Sequence, residues 1–258
     1  MPGAVANLVS LLFLGFLLGI RHATDADHIV AIATIVSRQR NLRGSAMIGA
    51  VWGIGHTVTI LIVGGAIILF GVVIPPRLGL AMEFSVGIML ILLGLLTLTG
   101  MRGVIGEAAS LIQPSRRGSP DQRGHVHTYG GKTPLAWLDG RFGRLMIYQW
   151  LRPLVIGIVH GLAGSAAVAL LVLTLVHDPV WAFTYLLLFG AGTICGMMVI
   201  TLGLSAPFAL TSSALPRVNF PLRAAAGLIS FVFGLFLTYE IGFAEGGLFT
   251  EAPNWQPQ

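Results

Sequence analysis

The stretch Arg21-His22-Ala23-Thr24-Asp25-Ala26-Asp27-His28 lies inside an otherwise apolar run from Val5 to Val36, and five of its eight side chains can carry charge or hold a metal. One charge at the centre of a bilayer costs ~2.5–3.5 kcal/mol on insertion scales. A chain that puts an arginine, two aspartates and two histidines at such depth has to pair them, line a cavity with them or give them an ion. The stretch is therefore the first candidate for a functional site.

The case for a membrane rests on composition. The 258 residues are 55% hydrophobic and only 10% charged, where a soluble domain carries about 25% charge. Mean hydropathy is +0.86, and several apolar runs reach the ~20 residues that span hydrocarbon as a helix. The expected fold class is an all-α polytopic membrane protein with about six transmembrane helices. A single cysteine, Cys195, excludes an intrachain disulfide or a cysteine-pair redox relay. The first 20 residues hold no Lys or Arg, so the basic region of a signal peptide is missing and the first span is expected to be retained. The net charge of +5 reads as basic loops at a membrane surface, not as a nucleic-acid partner.

In order, the expected spans are Val5–Ser37, Gly44–Val73, Leu78–Gly100, Leu151–Val176, Val180–Leu210 and Leu222–Ile241. The first would be ~50 Å long as one straight helix, so it must tilt, protrude or break near the polar motif. Residues 101–147 form the one long polar segment, read as a flexible loop that carries His125 and His127, with a possible interfacial helix at Leu135–Leu145. Residues 211–221 read as a loop with two prolines, and 242–258 as a tail without basic residues. With six spans, the first, third and fifth loops hold three, seven and one Lys/Arg, against Arg77 alone opposite. The positive-inside rule then puts the long loop in the bacterial cytoplasm and both termini outside the cytoplasmic membrane.

The halves, 1–100 and 148–241, resemble each other weakly. Gly19-Ile20-Arg21-His22 aligns with Gly157-Ile158-Val159-His160, Gly53-Ile54-Gly55-His56 with Gly190-Ala191-Gly192-Thr193, and Gly87/Gly94 with Gly227/Gly234. The register stays constant within a few residues. Three spans per copy imply an inverted-topology repeat, an architecture that binds substrate near the midplane and works by alternating access. Only the first half carries the charged motif, so ligands mostly from that half are expected. Small-residue faces allow a homodimer.

On an ideal helix Arg21, Asp25 and His28 form one stripe with His22 on its flank, and Arg21 can pair with Asp25. Asp27 points elsewhere and joins the histidines only if the helix unwinds, or acts by orienting an imidazole. Thr24 can add an oxygen. Imidazoles with a carboxylate suit nickel, cobalt and zinc, and suit magnesium or calcium poorly, since those take oxygen shells. His56 is the natural third nitrogen and His160 the fourth, although both can equally be packing residues. The candidate ligands are thus His22, Asp25, Asp27, His28 and His56, with Arg21, Thr24 and His160 as further possibilities. His177 reads as a turn residue.

The string from Arg21 to Ile29 resembles the signature of the nickel–cobalt transporter (NiCoT) family, a histidine, four residues, then aspartate-histidine. His22, Asp27 and His28 match its fixed positions and Asp25 its further acidic one. Gly55-His56-Thr57-Val58 is similar to that family's second motif. The resemblance covers about residues 15–65. It implies a secondary permease, not an enzyme, carrying Ni²⁺ or Co²⁺ as substrate and needing no cofactor. The chain is shorter than a typical member, lacking a preceding span and the acidic motifs of the second half. In this it resembles the short bacterial relatives tied to nickel supply for urease, or an efflux branch. Two other readings of the residues stay open. One is an intramembrane zinc hydrolase, for which no H-E-x-x-H pattern is present. The other is a proton-coupled exporter of a non-metal substrate.

Overall fold

A computed structural model describes residues 2–37, 39, 41–100, 150–163, 176, 178–214 and 216–255. The segment 101–149, with His125, His127 and the expected helix at Leu135–Leu145, lies outside the described residues, as do His177 and 164–175. The described residues form seven helices: α1 (Pro2–His22), α2 (Ala26–Val36), α3 (Leu42–Phe70), α4 (Pro76–Thr99), α5 (Trp150–Ala163), α6 (Pro179–Ala214) and α7 (Pro216–Phe243). Helices α3, α4, α6 and α7 are each long and apolar enough to cross a membrane. Many large apolar side chains face outward, among them Ile62, Phe70, Val199 and Leu210. On a soluble surface such a belt would be a liability, whereas in lipid it is the expected exterior.

The long first run does break. α1 ends at His22 and α2 starts at Ala26, with Asp25 as an extended N-cap residue. No glycine or proline causes it. The Thr24 hydroxyl turns back to the Arg21 carbonyl, and the Asp25 carboxylate reaches the His22 ring 2.8 Å away. A hydroxyl that takes a backbone carbonyl, as Thr24 does, competes with helix propagation.

Other helix ends follow local rules. Asn41 caps α3 by accepting from the Arg43 amide, α3 stops at Gly71 in the left-handed region (φ 61), and Pro76 opens α4 where an amide is not needed. The expected loop at 211–221 is mostly helix instead. α6 runs on to Ala214, and α7 begins at Pro216 with Pro221 inside it. Asn219 makes this junction tight: its side-chain amide donates to the Phe208 carbonyl and to Thr211 Oγ1, both at 3.1 Å. Interior prolines of this kind are tolerated in membrane helices because neighbours satisfy the freed groups. The tail also folds back. Trp255 donates from its indole to Glu83 (2.8 Å) and covers Gly79.

Helices meet where glycines let backbones touch. A Cβ on Gly19 would collide with the backbone of Phe189 and Thr193, and one on Gly157 with the backbone of Trp52 and His56. Gly55 sits against Leu154 and Ile158, and Gly192 against Phe16. Gly94 sits against Gly227 and Phe231, and Gly234 against Gly87 and Ile91. Under the alignment of 1–100 with 148–241 given above, each of these contacts has a partner in which the aligned residues exchange places. Residue numbers rise together along α1 and α6, and along α3 and α5, so those pairs run parallel. They run oppositely along α4 and α7, where Ser230 donates to the Leu90 carbonyl, and along α3 and α6, where Thr57 donates to the Gly190 carbonyl.

Gly94→Val is expected to lower stability by ~1–3 kcal/mol, the usual cost of overpacking. Gly203 has nothing within 4 Å of an added Cβ, so Gly203→Ala should be neutral or gain up to ~1 kcal/mol. Thermal unfolding in detergent checks both.

Candidate metal centre

Four histidines converge from four helices of the bundle. His22 closes α1, His28 lies in the first turn of α2, His56 is midway along α3 and His160 is on α5. His28, His56 and His160 are almost wholly buried, and His22 mostly so. The His22 and His28 ring centroids are 4.8 Å apart, His28 and His56 5.1 Å, and His28 and His160 4.2 Å. His22 Nε2 faces His56 Nε2 at 3.1 Å. Two imidazole donors on one tetrahedral ion at ~2.0–2.1 Å sit about this far apart.

The break between α1 and α2 decides where the carboxylates go. Asp25 Oδ2 is 2.8 Å from His22 Nδ1. Asp27 Oδ1 is 3.0 Å from His28 Nδ1 and also accepts the His28 amide at 2.9 Å. Asp27 Oδ2 is 3.0 Å from His160 Nε2, an ion-pair distance without hydrogen-bond alignment. A carboxylate on Nδ1 holds the proton there and leaves Nε2 as a lone pair, the usual support of a metal-binding histidine. His28 Nε2, His56 Nδ1 and His160 Nδ1 are buried and have no hydrogen-bond partner among the described residues. Leaving a buried polar group unsatisfied costs ~1–3 kcal/mol. Four clustered imidazoles with several ring nitrogens left in this state are a poor structural network and a good source of ligands.

The sequence expectations divide accordingly. His22, His28, His56 and His160 meet, and the unwinding that Asp27 requires has taken place. The expected Arg21–Asp25 pair does not form: Asp25 pairs with His22, and Arg21 is exposed. The i,i+4 spacing that would bring Arg21 and Asp25 together exists only in a continuous helix. Thr24 is exposed and spends its hydroxyl on the Arg21 carbonyl. The motif reading passed over two aromatic walls. Trp52 stacks on His28 at 5.9 Å and meets His160 edge-on at 5.6 Å, and Phe189 lies 5.4 Å from His22. The signal for Trp52 was its place four residues before His56, on the same face of α3.

Among known proteins, the chain is 36% identical over 240 residues to the urease accessory protein UreH of Bacillus sp. (strain TB-90), covering 93% of this chain and 95% of that protein. The chain belongs to the UreH family. That family falls within the nickel/cobalt permeases, the group whose signature the Arg21–Ile29 stretch resembles. No protein-family profile and no solved structure matches the chain.

If Asp25 orients His22, Asp25→Ala should weaken Ni²⁺ affinity by roughly 10–100-fold, the usual cost of losing such a support. Arg21→Ala should leave it at the wild-type level. Calorimetry in detergent compares the two.

Proposed function

We propose that the chain is a secondary transporter that carries Ni²⁺ or Co²⁺ across the bacterial cytoplasmic membrane through the His/Asp centre. The observation that carries this reading is the convergence of four buried or mostly buried histidines from both halves of the chain, several of their ring nitrogens unpartnered among the described residues. The donor set supports the substrate class. Imidazole nitrogens backed by carboxylates favour borderline first-row ions over magnesium and calcium. Each carboxylate at the centre already faces an imidazole. Among the described residues no carboxylate at the centre is left over as a general base, which favours transport over hydrolysis.

The reciprocal glycine contacts support two inverted three-span repeats. Equivalent helices that cross a two-fold axis antiparallel, as α4 and α7 run, place that axis across the helices and in the membrane plane. The relative directions of the contacting helices agree with six alternating crossings, with α1 and α2 together as the first. Inverted repeats with a discontinuous helix at the midplane are built for alternating access. The ion rests between the halves, which rock to open it to either face. The distribution of basic residues supports a cytoplasmic long loop and external termini. The sequence has no G-x-x-x-x-G-K-[ST] loop, so the driving force is an ion gradient, the membrane potential or a partner.

His22→Ala should abolish Ni²⁺ accumulation by cells or proteoliposomes while the protein stays in the membrane. Undiminished accumulation would overturn the assignment of the site.

A further inference from the structure

The donors do not form one shell. A single ion bonded at ~2.0–2.2 Å holds donors up to ~4.4 Å apart, so side chains within a few tenths of an ångström of that spacing can close on it. Among the described residues, two groups of three donors lie within 4.8 Å of one another. The first is His22, His28 and His56, and the second is Asp27, His28 and His160. Neither contains the other's remaining members, and His28 belongs to both.

We infer that the centre holds two overlapping ion positions that share His28, so that an ion bound by His22, His28 and His56 passes to His28, Asp27 and His160. The inference rests on the transport reading above and deepens it. His28 can serve both positions in turn: its Nε2 is unpartnered among the described residues, and an ion at the second position takes the place of the proton that Nδ1 shares with Asp27. It is also centrally placed, with His22, His56 and His160 all within 5.1 Å of it, ring centroid to ring centroid. The wider His56–His160 separation of 6.0 Å keeps the two sets distinct.

The positions differ in chemistry and origin. The first is three imidazoles, all from the first half. The second adds a carboxylate and draws His160 from α5 in the second half. Asp27 now holds His28 and His160 through separate oxygens, so an ion arriving there replaces two contacts that its absence leaves in place. A transported ion must be bound well enough to enter and weakly enough to leave, and adjacent sites meet both needs. Movement of α5 against α1–α3 would open or close the second position without disturbing the first.

The test pairs binding with transport. Ni²⁺ binding to detergent-purified protein is measured by calorimetry, and Ni²⁺ uptake in proteoliposomes, for wild type, His56→Ala, His160→Ala and His160→Gln. The Gln variant guards against loss of folding in the Ala variant. His56→Ala should lose binding. The His160 variants should keep affinity within about tenfold of wild type, below the cost of losing a ligand or its support, and yet lose uptake. If the His160 variants lose binding as His56→Ala does, the centre is one four-histidine shell and the two-position inference falls while the transport reading stands. Normal uptake by the His160 variants also overturns it. A wild-type protein that binds neither Ni²⁺ nor Co²⁺ overturns the transport reading itself.

Discussion

The arrangement depends on the interruption between His22 and Ala26. On an unbroken helix each residue turns ~100°, so His22, Asp27 and His28 would point in different directions. The break resets that geometry. It leaves His22 at the end of one helix, starts Asp27 and His28 on the next, and lets both carboxylates reach imidazoles. The interruption is held by the residues it serves: the Thr24 hydroxyl takes the Arg21 carbonyl that a continuing helix would claim, and the Asp25 carboxylate pairs with the His22 ring. In hydrocarbon an interrupted backbone is tolerated only where protein or a water-filled cavity surrounds it. The wall of α3, α5 and α6 provides that enclosure, with Ala23 fully buried against it.

Close packing is the second requirement. His160 reaches the centre only because α5 approaches α3 backbone to backbone at Gly157 and Gly161. Without a hydrophobic driving force between helices in lipid, such small-residue contacts are what hold a bundle together. The same type of contact repeats between α1 and α6 and between α4 and α7. The site thus sits in a frame of glycine contacts, with apolar side chains turned outward to lipid.

Much of this was legible in the sequence. The polar octet inside an apolar run marked the candidate site, and the membrane class followed from runs of apolar residues with few charges. His56 and His160 stood out because glycines flank them, and their glycine neighbours proved to be the helix contacts. What the sequence hid were three-dimensional choices. The partner of Asp25 depends on whether the helix continues, which propensity alone does not decide. The helical junction at 211–221 depends on Asn219 reaching back eleven residues to Phe208. Two prolines there argued for a loop, and tertiary hydrogen bonds overrode them. The return of Trp255 to Glu83 joins residues 172 apart in sequence, with no local pattern to announce it.

The most direct test of the central claim, that this centre binds the ion through histidine, is X-ray absorption at the nickel edge on the Ni²⁺-loaded protein. The account predicts a first shell containing at least two imidazoles, visible through the multiple scattering of their rings, with nitrogen donors at about 2.0–2.1 Å. A shell of oxygen atoms alone, without imidazole scattering, would contradict it.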